Sequence, residues 1–462
     1  MGKIDASVAQ PVVHLTRNEK VACSSQVTSS RGIPASEEAG ISFYIRIQRG
    51  ESGVERMAEK GNNHQLIKQN NLRLILRHIY MHSPISRVEI AHDLGLTTAT
   101  ITGLVAPLLS QGLLQETEAR TEEGKGAGRP RVMLEFAPDS CYCCGVDIGP
   151  YQINYMLTNI RGEVIQKRHT TNTLDVYHKT LELLQKEIPD FLAEAGVPAE
   201  KILGIGICLP GLIDGSADKI YTTFYDGWTE HNLAYELGKR LGIKVEVENN
   251  VRAKAICANL VDRMVQEEPF AYFFASFGVA CQMIIDGKVL YGKKAAAGEI
   301  GHTVMQRNGP VCPTCGNRGC LEALAGERSI LQKCRELMRR DESSLLWSIC
   351  PDGKLLAIEH VLHAQELGDV QVNSIVEDAL NYLGIALANM INLISPRFVI
   401  AEGRLFDPVK NQKHFLNYVS ENIFRAHLND TNIQFLPFDS DRGAKAAASV
   451  VIEEYLNKWT AE

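Results

Sequence analysis

The sequence lacks the features that mark a membrane protein or a strongly basic nucleic-acid-binding protein. No apolar run among its 462 residues approaches the roughly 18 residues of a membrane-spanning helix, which excludes a membrane protein. Positive charge is not in surplus either, because 48 Lys and Arg stand against 55 Asp and Glu, for a net charge of -7. Any contact with nucleic acid must therefore come from a local basic surface and not from the field of the whole chain.

The length of the chain indicates how many domains it has, and its cysteine content indicates where it is located. At 462 residues it is about three times the roughly 150 residues of a typical domain, so we expect two or three domains. The 45% of hydrophobic and 22% of charged residues are typical of a globular protein. With no secretory leader expected, twelve cysteines favour a cytoplasmic location, where clustered thiols are more often metal ligands than disulfides.

Residues 1–60 show no sustained hydrophobic period. Ser, Gly, Gln and mixed charges dominate them, which predicts a disordered extension. A start codon assigned too early, with Met57 as the true start, would give the same pattern.

Residues 64–136 carry the pattern of short helices followed by a hairpin. Apolar residues at i, i+3, i+4 and i+7 within 72–79 predict a first helix, which "MHSP" ends. Ser86 and Glu89 form an S-x-x-E capping box for a second helix. Gly95 then ends that second helix, and a tight turn follows.

A third helix follows the turn, capped by Thr97 or Thr98. Pro107 lies deep in this helix and should kink it or end it early. The inward face consists of Ile101, Leu104, Val105 and Leu108. Two helices joined by a short turn, the second with a small polar outer surface, are typical of a helix-turn-helix.

Two extended runs, "LLQETEA" and "RVMLEF", come next and bracket "RTEEGKGAGRPR". They predict a β-wing with a Gly-rich basic tip, whose arginines suit a narrow minor groove of DNA. Spacing alone leaves a plain interaction domain open. The predicted DNA-contacting residues are Ser86, Thr97, Thr98, Thr100, Thr102, Lys125, Arg129 and Arg131.

From residue 141 onward, short strands alternate with amphipathic helices, which is typical of an α/β fold. Two lobes with a cleft between them, at 140–260 and 261–455, are the most economical arrangement. We expect the C-terminal helix to pack back on the first lobe.

A cluster of metal-binding residue types lies in the second lobe. His302, Cys312, Cys315 and Cys320 supply one imidazole and three thiolates within nineteen residues. This is a ligand set for tetrahedral zinc, and four protein ligands indicate a structural site. The alternative is four buried, unliganded side chains. The thiols of "CYCC" at 141–144 are more typical of a core strand.

Polar side chains are also expected at the cleft. Glu299 and Glu322 flank the cysteine cluster, and Asn249 and Asn250 follow the strand "KVEVEN". Carboxylates and amides that converge on a cleft suit a polyhydroxylated ligand, because each hydroxyl both donates and accepts. Helix caps and surface polar groups are the alternative. Two possible phosphate turns, "GVDIGPYQI" and "ASFGVACQMIIDG", are poor in glycine for that purpose.

Together these segments resemble the ROK family (repressors, open reading frames and kinases), in its branch of sugar-dependent repressors of the Mlc, NagC and XylR type. The resemblance covers about 64–455. It rests on "SRVEIAHDLGLTTATITGLVAPLLSQGLL", "GRPR", "CLPGLID" and "GEIGH" followed by "CGNRGCLE". It implies a winged helix-turn-helix followed by a two-lobed sugar-kinase-like domain of the actin and hexokinase type.

The resemblance also implies roles for single residues. The zinc ligands fall on His302, Cys315 and Cys320, with Cys312 as the fourth. Pro313 stands at the family's usual cysteine position, so the spacing is C-x2-C, which a slightly longer loop accommodates. The sugar-contacting positions fall on Asn249, Asn250, Glu299, His302 and Glu322. His302 would bind zinc through one ring nitrogen and face the sugar with the other.

Two departures from the family's kinases indicate that phosphotransfer is lost. The kinases have Asn-Asp at the end of the "KVEVEN" strand, with Asp as the general base, whereas Asn250 is an amide and accepts no proton. Their first phosphate turn is Asp-x-Gly-Gly-Thr, where this chain has "DIGPY" at 147–151. Proline removes a donor there and tyrosine fills the space. The second phosphate turn keeps only Gly278 of its glycine pattern.

The sequence therefore predicts a sugar-responsive transcriptional regulator that is not an enzyme, most simply a repressor of carbohydrate-metabolism genes. Its partners would be double-stranded operator DNA, a sugar or sugar phosphate, and further copies of itself in a homodimer or homotetramer. A sugar kinase with an accessory DNA-binding head is the alternative from the enzyme class. An architectural or interaction protein that responds to no inducer is the third possibility.

Overall fold

The structure, a computed structural model, describes most of the chain from residue 62 onward. The described residues are 62–118, 131–150, 152–171, 176–215, 218–223, 225, 227–265, 269–425 and 430–458. The predicted extension at 1–60 lies outside them, and so do Lys125 and Arg129 of the wing tip.

The first described segment folds as a winged helix-turn-helix, which we call the head. Its elements are α1 (Asn62–His82), β1 (Ile85–Ser86), α2 (Arg87–Leu94), α3 (Thr98–Ser110), β2 (Leu114–Glu118) and β3 (Val132–Phe136). Strand β3 lies between β1 and β2 and is antiparallel to both. The four apolar positions within 72–79 are buried, as their helical spacing predicted.

The capping box predicted for α2 is confirmed. The Ser86 hydroxyl accepts a hydrogen bond from the backbone N–H of Glu89 at 3.3 Å, and the Glu89 carboxylate accepts one from the backbone N–H of Ser86 at 2.9 Å. Gly95 ends the helix at a φ of 64°, in the left-handed region that glycine adopts at low cost.

Helix α3 is capped by Thr97, whose hydroxyl accepts from the backbone N–H of Thr100 at 3.1 Å. The expectation that Pro107 ends α3 early was wrong, because the helix continues to Ser110. Proline removes only one helical hydrogen bond here, and the backbone N–H of Gln111 still reaches the Pro107 carbonyl at 3.0 Å.

The remainder of the chain is an α/β body of two lobes. Lobe 1 contains β4 (Tyr142–Ile148), β5 (Gln152–Asn159), β6 (Val164–Thr171), α4 (Tyr177–Ala195), β7 (Ile202–Leu209), β8 (Gly211–Asp214), β9 (Lys219–Thr223), α5 (Leu233–Leu241), β10 (Val245–Asn249) and α6 (Asn250–Ile256). Five of its strands form one sheet in the order β10-β7-β4-β5-β6, and β8 and β9 form a separate hairpin.

Lobe 2 follows, and the last helix returns to lobe 1. These elements are β11 (Phe270–Ala275), β12 (Val279–Ile285), β13 (Lys288–Val289), α7 (Leu321–Ala325), α8 (Glu327–Arg340), α9 (Leu346–Ile349), α10 (Ile358–Glu366), α11 (Val370–Ile394), β14 (Phe398–Glu402), α12 (Val409–Asn422), β15 (Asn432–Leu436) and α13 (Arg442–Lys458). The sheet of lobe 2 has the order β13-β12-β11-β14-β15.

The two sheets repeat one topology. In each, the first strand is antiparallel to the second and parallel to the fourth, as β4 is to β5 and β7, and as β11 is to β12 and β14. This duplication of one α/β unit around a cleft is the two-lobed, actin- and hexokinase-like arrangement that the sequence predicted.

Helix α13 lies directly on the strands of lobe 1 because two glycines remove side chains from the contact. A Cβ at Gly145 of β4 would lie 1.9 Å from the carbonyl oxygen of Ala444, and one at Gly206 of β7 would lie 1.9 Å from that of Ala447. Helix α6 packs against α13 on one side and against β11 and β12 of lobe 2 on the other. Helix α6 therefore contacts elements of both lobes.

The head and the body share a hydrophobic core. Leu72 and Ile75 of α1 belong to the same buried cluster as Ile452 and Leu456 of α13. Two hydrogen bonds of 2.9 Å from Arg77 to the Glu453 carboxylate join the same two helices. Across the described part of the chain, no helix has the length and apolar character that crossing a membrane requires.

Candidate functional site

The four side chains predicted as metal ligands come together in lobe 2. Their ligand atoms all lie within 4.8 Å of one another. The sulfurs of Cys315 and Cys320 are 3.6 Å apart, and Nδ1 of His302 is 3.8 Å from the sulfur of Cys312. A tetrahedron with zinc–sulfur bonds of about 2.3 Å has edges of about 3.8 Å, so the donor set fits zinc in type and spacing.

The C-x2-C spacing around Pro313 is accommodated by a tight turn. The backbone N–H of Gly316 donates to the carbonyl of Cys312 at 2.9 Å, and the N–H of Cys312 donates to the carbonyl of Asn317 at 2.7 Å. An isolated bridge between Val304 and Cys320 closes the base of the loop. The loop of residues 302–320, which we call the metal loop, therefore presents all four ligands to one point.

The metal loop is joined to two of the predicted sugar-contacting carboxylates. Thr314 donates a hydrogen bond of 2.5 Å to Glu322, whose side chain is buried on α7. Nε2 of His302 faces Glu299, at 3.9 Å from its Oε2, while Nδ1 faces the cysteines. Burial raises the pKa of Glu299, and Glu322 adds to the rise. An ion held in the loop would thus fix the side chains that border the cleft.

The asparagines lie in lobe 1, where β10 passes into α6. Asn249 Oδ1 accepts from the backbone N–H groups of Val251 and Arg252 at 2.9 and 3.0 Å, and its Nδ2 donates to the Gly211 carbonyl at 2.8 Å. Asn249 is therefore a helix cap, the alternative that the pattern left open. Asn250 begins α6 and is half-buried.

A buried arginine beside these asparagines was missed in the sequence. Arg252 is 1% exposed, forms an ion pair with Glu248 and donates to two carbonyls, those of Ile213 at 3.0 Å and Ala295 at 2.7 Å. The spacing of Glu248 and Arg252, two opposite charges four residues apart, was the available signal.

A second buried ion pair occupies the space between the two possible phosphate turns. Lys254 Nζ lies 3.0 and 3.1 Å from the two carboxylate oxygens of Glu402, and Tyr272 donates to the same carboxylate. Glu402 is 0% exposed. At the first turn, the Tyr225 hydroxyl donates to the carbonyls of Ile148 and Gly149 at 3.3 and 3.0 Å. Glu402 is thus hydrogen-bonded to both Lys254 and Tyr272.

The proposed DNA-contacting residues that the structure describes lie around α3 and β3. Thr98 and Thr102 are exposed, and the Thr102 hydroxyl donates to the Thr98 carbonyl at 2.8 Å. Thr97 and Thr100 bond each other within the cap at 2.8 Å. Arg131 is exposed at the start of β3, with its guanidinium 3.5 Å from Glu89.

Ser86 does not share this exposure. It is 6% exposed, and its hydroxyl lies 2.7 Å from Oε2 of Glu89 within the capping box. Its place is therefore in the core of the head and not on the outer face of α3. Lys125 and Arg129, predicted for the wing tip, fall outside the described residues.

Comparison with known proteins places the chain in a family. The sequence model described as "ROK family" matches residues 143–451. The xylose repressor of Bacillus subtilis is 27% identical over 401 residues, covering 85% of this chain and 98% of that protein. A putative xylose repressor of a Caldicellulosiruptor species is 31% identical over 339 residues, covering 73% of this chain and 84% of that protein.

The fold agrees with this assignment. A crystal structure of a ROK family transcriptional regulator, described as a homologue of the E. coli Mlc protein, superposes with a TM-score of 0.71 at 24% identity, covering 84% of this chain and 98% of that one. The family match spans most of the body, and the match to the Bacillus subtilis xylose repressor is longer than the body. This chain belongs to the ROK family.

Proposed function

We propose that this chain is a sugar-responsive, DNA-binding transcriptional repressor. One observation carries the proposal: the 401 residues matched to a xylose repressor exceed the length of the body and so include the head. A protein that shares both parts with named repressors has the parts that repression needs, a DNA-binding surface and an effector cleft.

The DNA-binding part of the proposal rests on α3. Its exposed N-terminal residues, Thr98 and Thr102, would lie in the major groove and offer methyl groups to thymine. Arg131 would contact the DNA backbone beside the groove, and Lys125 and Arg129 would reach the minor groove. As a homodimer or homotetramer, the protein would place two heads on successive turns of a pseudo-palindrome.

The effector site of the proposal lies between the lobes. Asn249 and Asn250 on one side, with Glu299, His302 and Glu322 on the other, would bind the hydroxyls of a sugar or sugar phosphate. Asn249 has less hydrogen-bonding capacity left for a sugar than its residue type suggests, because Oδ1 already accepts two hydrogen bonds and Nδ2 donates one. Zinc in the metal loop would be structural, since four protein ligands leave no open position for chemistry.

We further propose that the body has no kinase activity. The amide of Asn250 accepts no proton from a sugar hydroxyl, so a general base is missing at that position. The Lys254 ammonium is already paired with the buried Glu402 carboxylate, so it is not a free cation for the phosphates of a nucleotide.

The proposal is tested by fluorescence anisotropy of the purified protein on its own upstream DNA, at two salt concentrations, with a panel of sugars and sugar phosphates headed by xylose. We expect specific binding that falls steeply with salt and is released by one compound. Turnover of ATP with any sugar, lost in Glu322→Ala, would instead support the kinase. DNA binding that no compound in the panel releases would support an inducer-independent protein.

A further inference from the structure

Arg252 connects the two lobes beside the proposed effector site. Its guanidinium lies against two partners from lobe 1, the carboxylate of Glu248 on β10 and the carbonyl of Ile213 on β8. In lobe 2 the guanidinium donates a hydrogen bond of 2.7 Å to the carbonyl of Ala295 and lies over the ring of Tyr291, whose centroid is 4.9 Å away. The planar guanidinium of Arg252, with its fixed fork of N–H donors, therefore forms hydrogen bonds with both lobes.

The lobe 2 partners belong to the segment that ends at Glu299. This segment, residues 290–299, follows β13 and leads into the metal loop. On the lobe 1 side, Glu248 immediately precedes Asn249 and Asn250 on the chain. Arg252 thus joins the two backbone segments that carry proposed effector contacts on opposite sides of the cleft.

The backbone of residues 290–299 is held in an unfavourable conformation at the point of contact. Lys294 and Ala295 have φ angles of 55° and 54°, in the left-handed region that residues with a Cβ rarely adopt. Such a conformation persists only where the surroundings fix it. Ala295 is buried, and its carbonyl accepts the hydrogen bond from Arg252.

From this geometry we infer that Arg252 is the positioning residue that couples effector binding to the arrangement of the lobes. The inference rests on the proposed function and adds the means of its regulation. Movement of lobe 2 relative to lobe 1 changes the distance from Arg252 to Ala295, and with it the position of Glu299 relative to Asn250. In this proposal, one arrangement of the lobes is favoured by the sugar and another by the operator, the two differ in this hydrogen bond, and the bond contributes to the bias between them.

The experiment compares operator affinity with and without the releasing sugar in the wild type and in Arg252→Lys. Lysine retains a charge for Glu248 but lacks the fork that reaches two carbonyls. In the wild type we expect the sugar to weaken operator binding by about 5- to 150-fold, the usual range of allosteric coupling. In Arg252→Lys this ratio should fall to about 3-fold or less, while sugar-free operator affinity stays within about 3-fold of the wild type.

Two double variants serve as a second test and as a control. Glu248→Gln combined with Arg252→Met removes both charges, so no buried charge is left unpaired, and it should lose the coupling like Arg252→Lys. Lys254→Met combined with Glu402→Gln is the matched control, because it breaks the ion pair between α6 and lobe 2 without touching residues 290–299. We expect this control to retain most of the coupling.

The outcomes distinguish a failure of the inference about Arg252 from a failure of the proposed repressor function. A wild type whose operator binding no sugar changes overturns the proposed function, and the inference with it. A wild type that responds, together with an Arg252→Lys protein that responds equally, overturns the inference alone. Equal loss of coupling in the Lys254 and Glu402 control also overturns it, because any damage between the lobes would then suffice.

Discussion

Asp147 is a carboxylate at the entrance to the space between the lobes, where α13 begins. A Cβ at Gly443 would lie 2.1 Å from its Oδ2, so the helix can start here only with glycine. Burial raises the pKa of Asp147 to about 6, the ammonium of Lys254 opposes the rise, and the carboxylate of Glu402 adds to it. A carboxylate with a raised pKa binds its proton more tightly in the folded than in the unfolded protein.

Asp147→Asn should therefore stabilise the protein at neutral pH. With a folded pKa of about 6 and an unfolded value near 3.8, the stabilising contribution of the wild-type proton is complete below the unfolded value and is lost as pH rises through 6. The asparagine side chain does not titrate, so its advantage should be on the order of 1–3 kcal/mol at pH 7.5 and shrink toward pH 4.5. Thermal unfolding midpoints measured across this pH range test it. A difference between the two proteins that does not change with pH would contradict the assignment.

Residue types near one another in the sequence could be interpreted correctly, whereas partners distant along the chain could not. The metal ligands were found from sequence because thiols and imidazole within one loop restrict the possible chemistry. The partners of Lys254 and Arg252 are different: Glu402 is 148 residues away and Ala295 is 43 residues away. Only the folded chain brings such groups together, so the contacts of Lys254 and Arg252 with lobe 2 were not predicted.

The metal loop is the element that links metal binding to the proposed effector site. The candidate ligands His302, Cys312, Cys315 and Cys320 lie close enough to share one ion, and Thr314 donates a hydrogen bond to Glu322. Cys315 is exposed whereas Cys312 and Cys320 are buried, so Cys315 can be changed with little effect on core packing.

Two variants distinguish the effect of losing the metal from the effect of losing the hydrogen bond between Thr314 and Glu322. The wild type should contain about one zinc ion per chain, and Cys315→Ser should contain much less and unfold at a lower temperature, because one of four ligands is lost. Thr314→Val removes the hydrogen bond to Glu322 but no ligand, so it should keep its zinc and bind the sugar more weakly. Metal analysis and sugar titration measure both. Full zinc content in Cys315→Ser would refute the ligand set.

Helices were predictable where local chemistry decides their ends. The capping box of Ser86 and Glu89 and the left-handed Gly95 follow from residue type alone. Pro107 shows the limit of this reasoning, since the cost of a proline depends on how much helix follows it and on the packing around it. Strand order was less accessible, because the parallel pairings β4·β7 and β11·β14 join segments far apart in sequence.

At the scale of the whole molecule, the head and the body are continuous. The cluster that joins α1 to α13 extends from the head to a helix lying on the strands of lobe 1. Helix α6 touches both α13 and lobe 2, so a change in the lobes has a packed route to the head. Coupling along this route is measured as a free energy shared by the two sites.

The measurement that tests the central claim most directly is the affinity of the releasing sugar for the protein, determined with and without saturating operator DNA. If one chain couples the two ligands, the operator must weaken sugar binding by the same factor by which the sugar weakens operator binding. We predict that the two factors agree within about twofold and fall between about 5 and 150. A sugar that binds equally well to the free and the operator-bound protein would contradict the account.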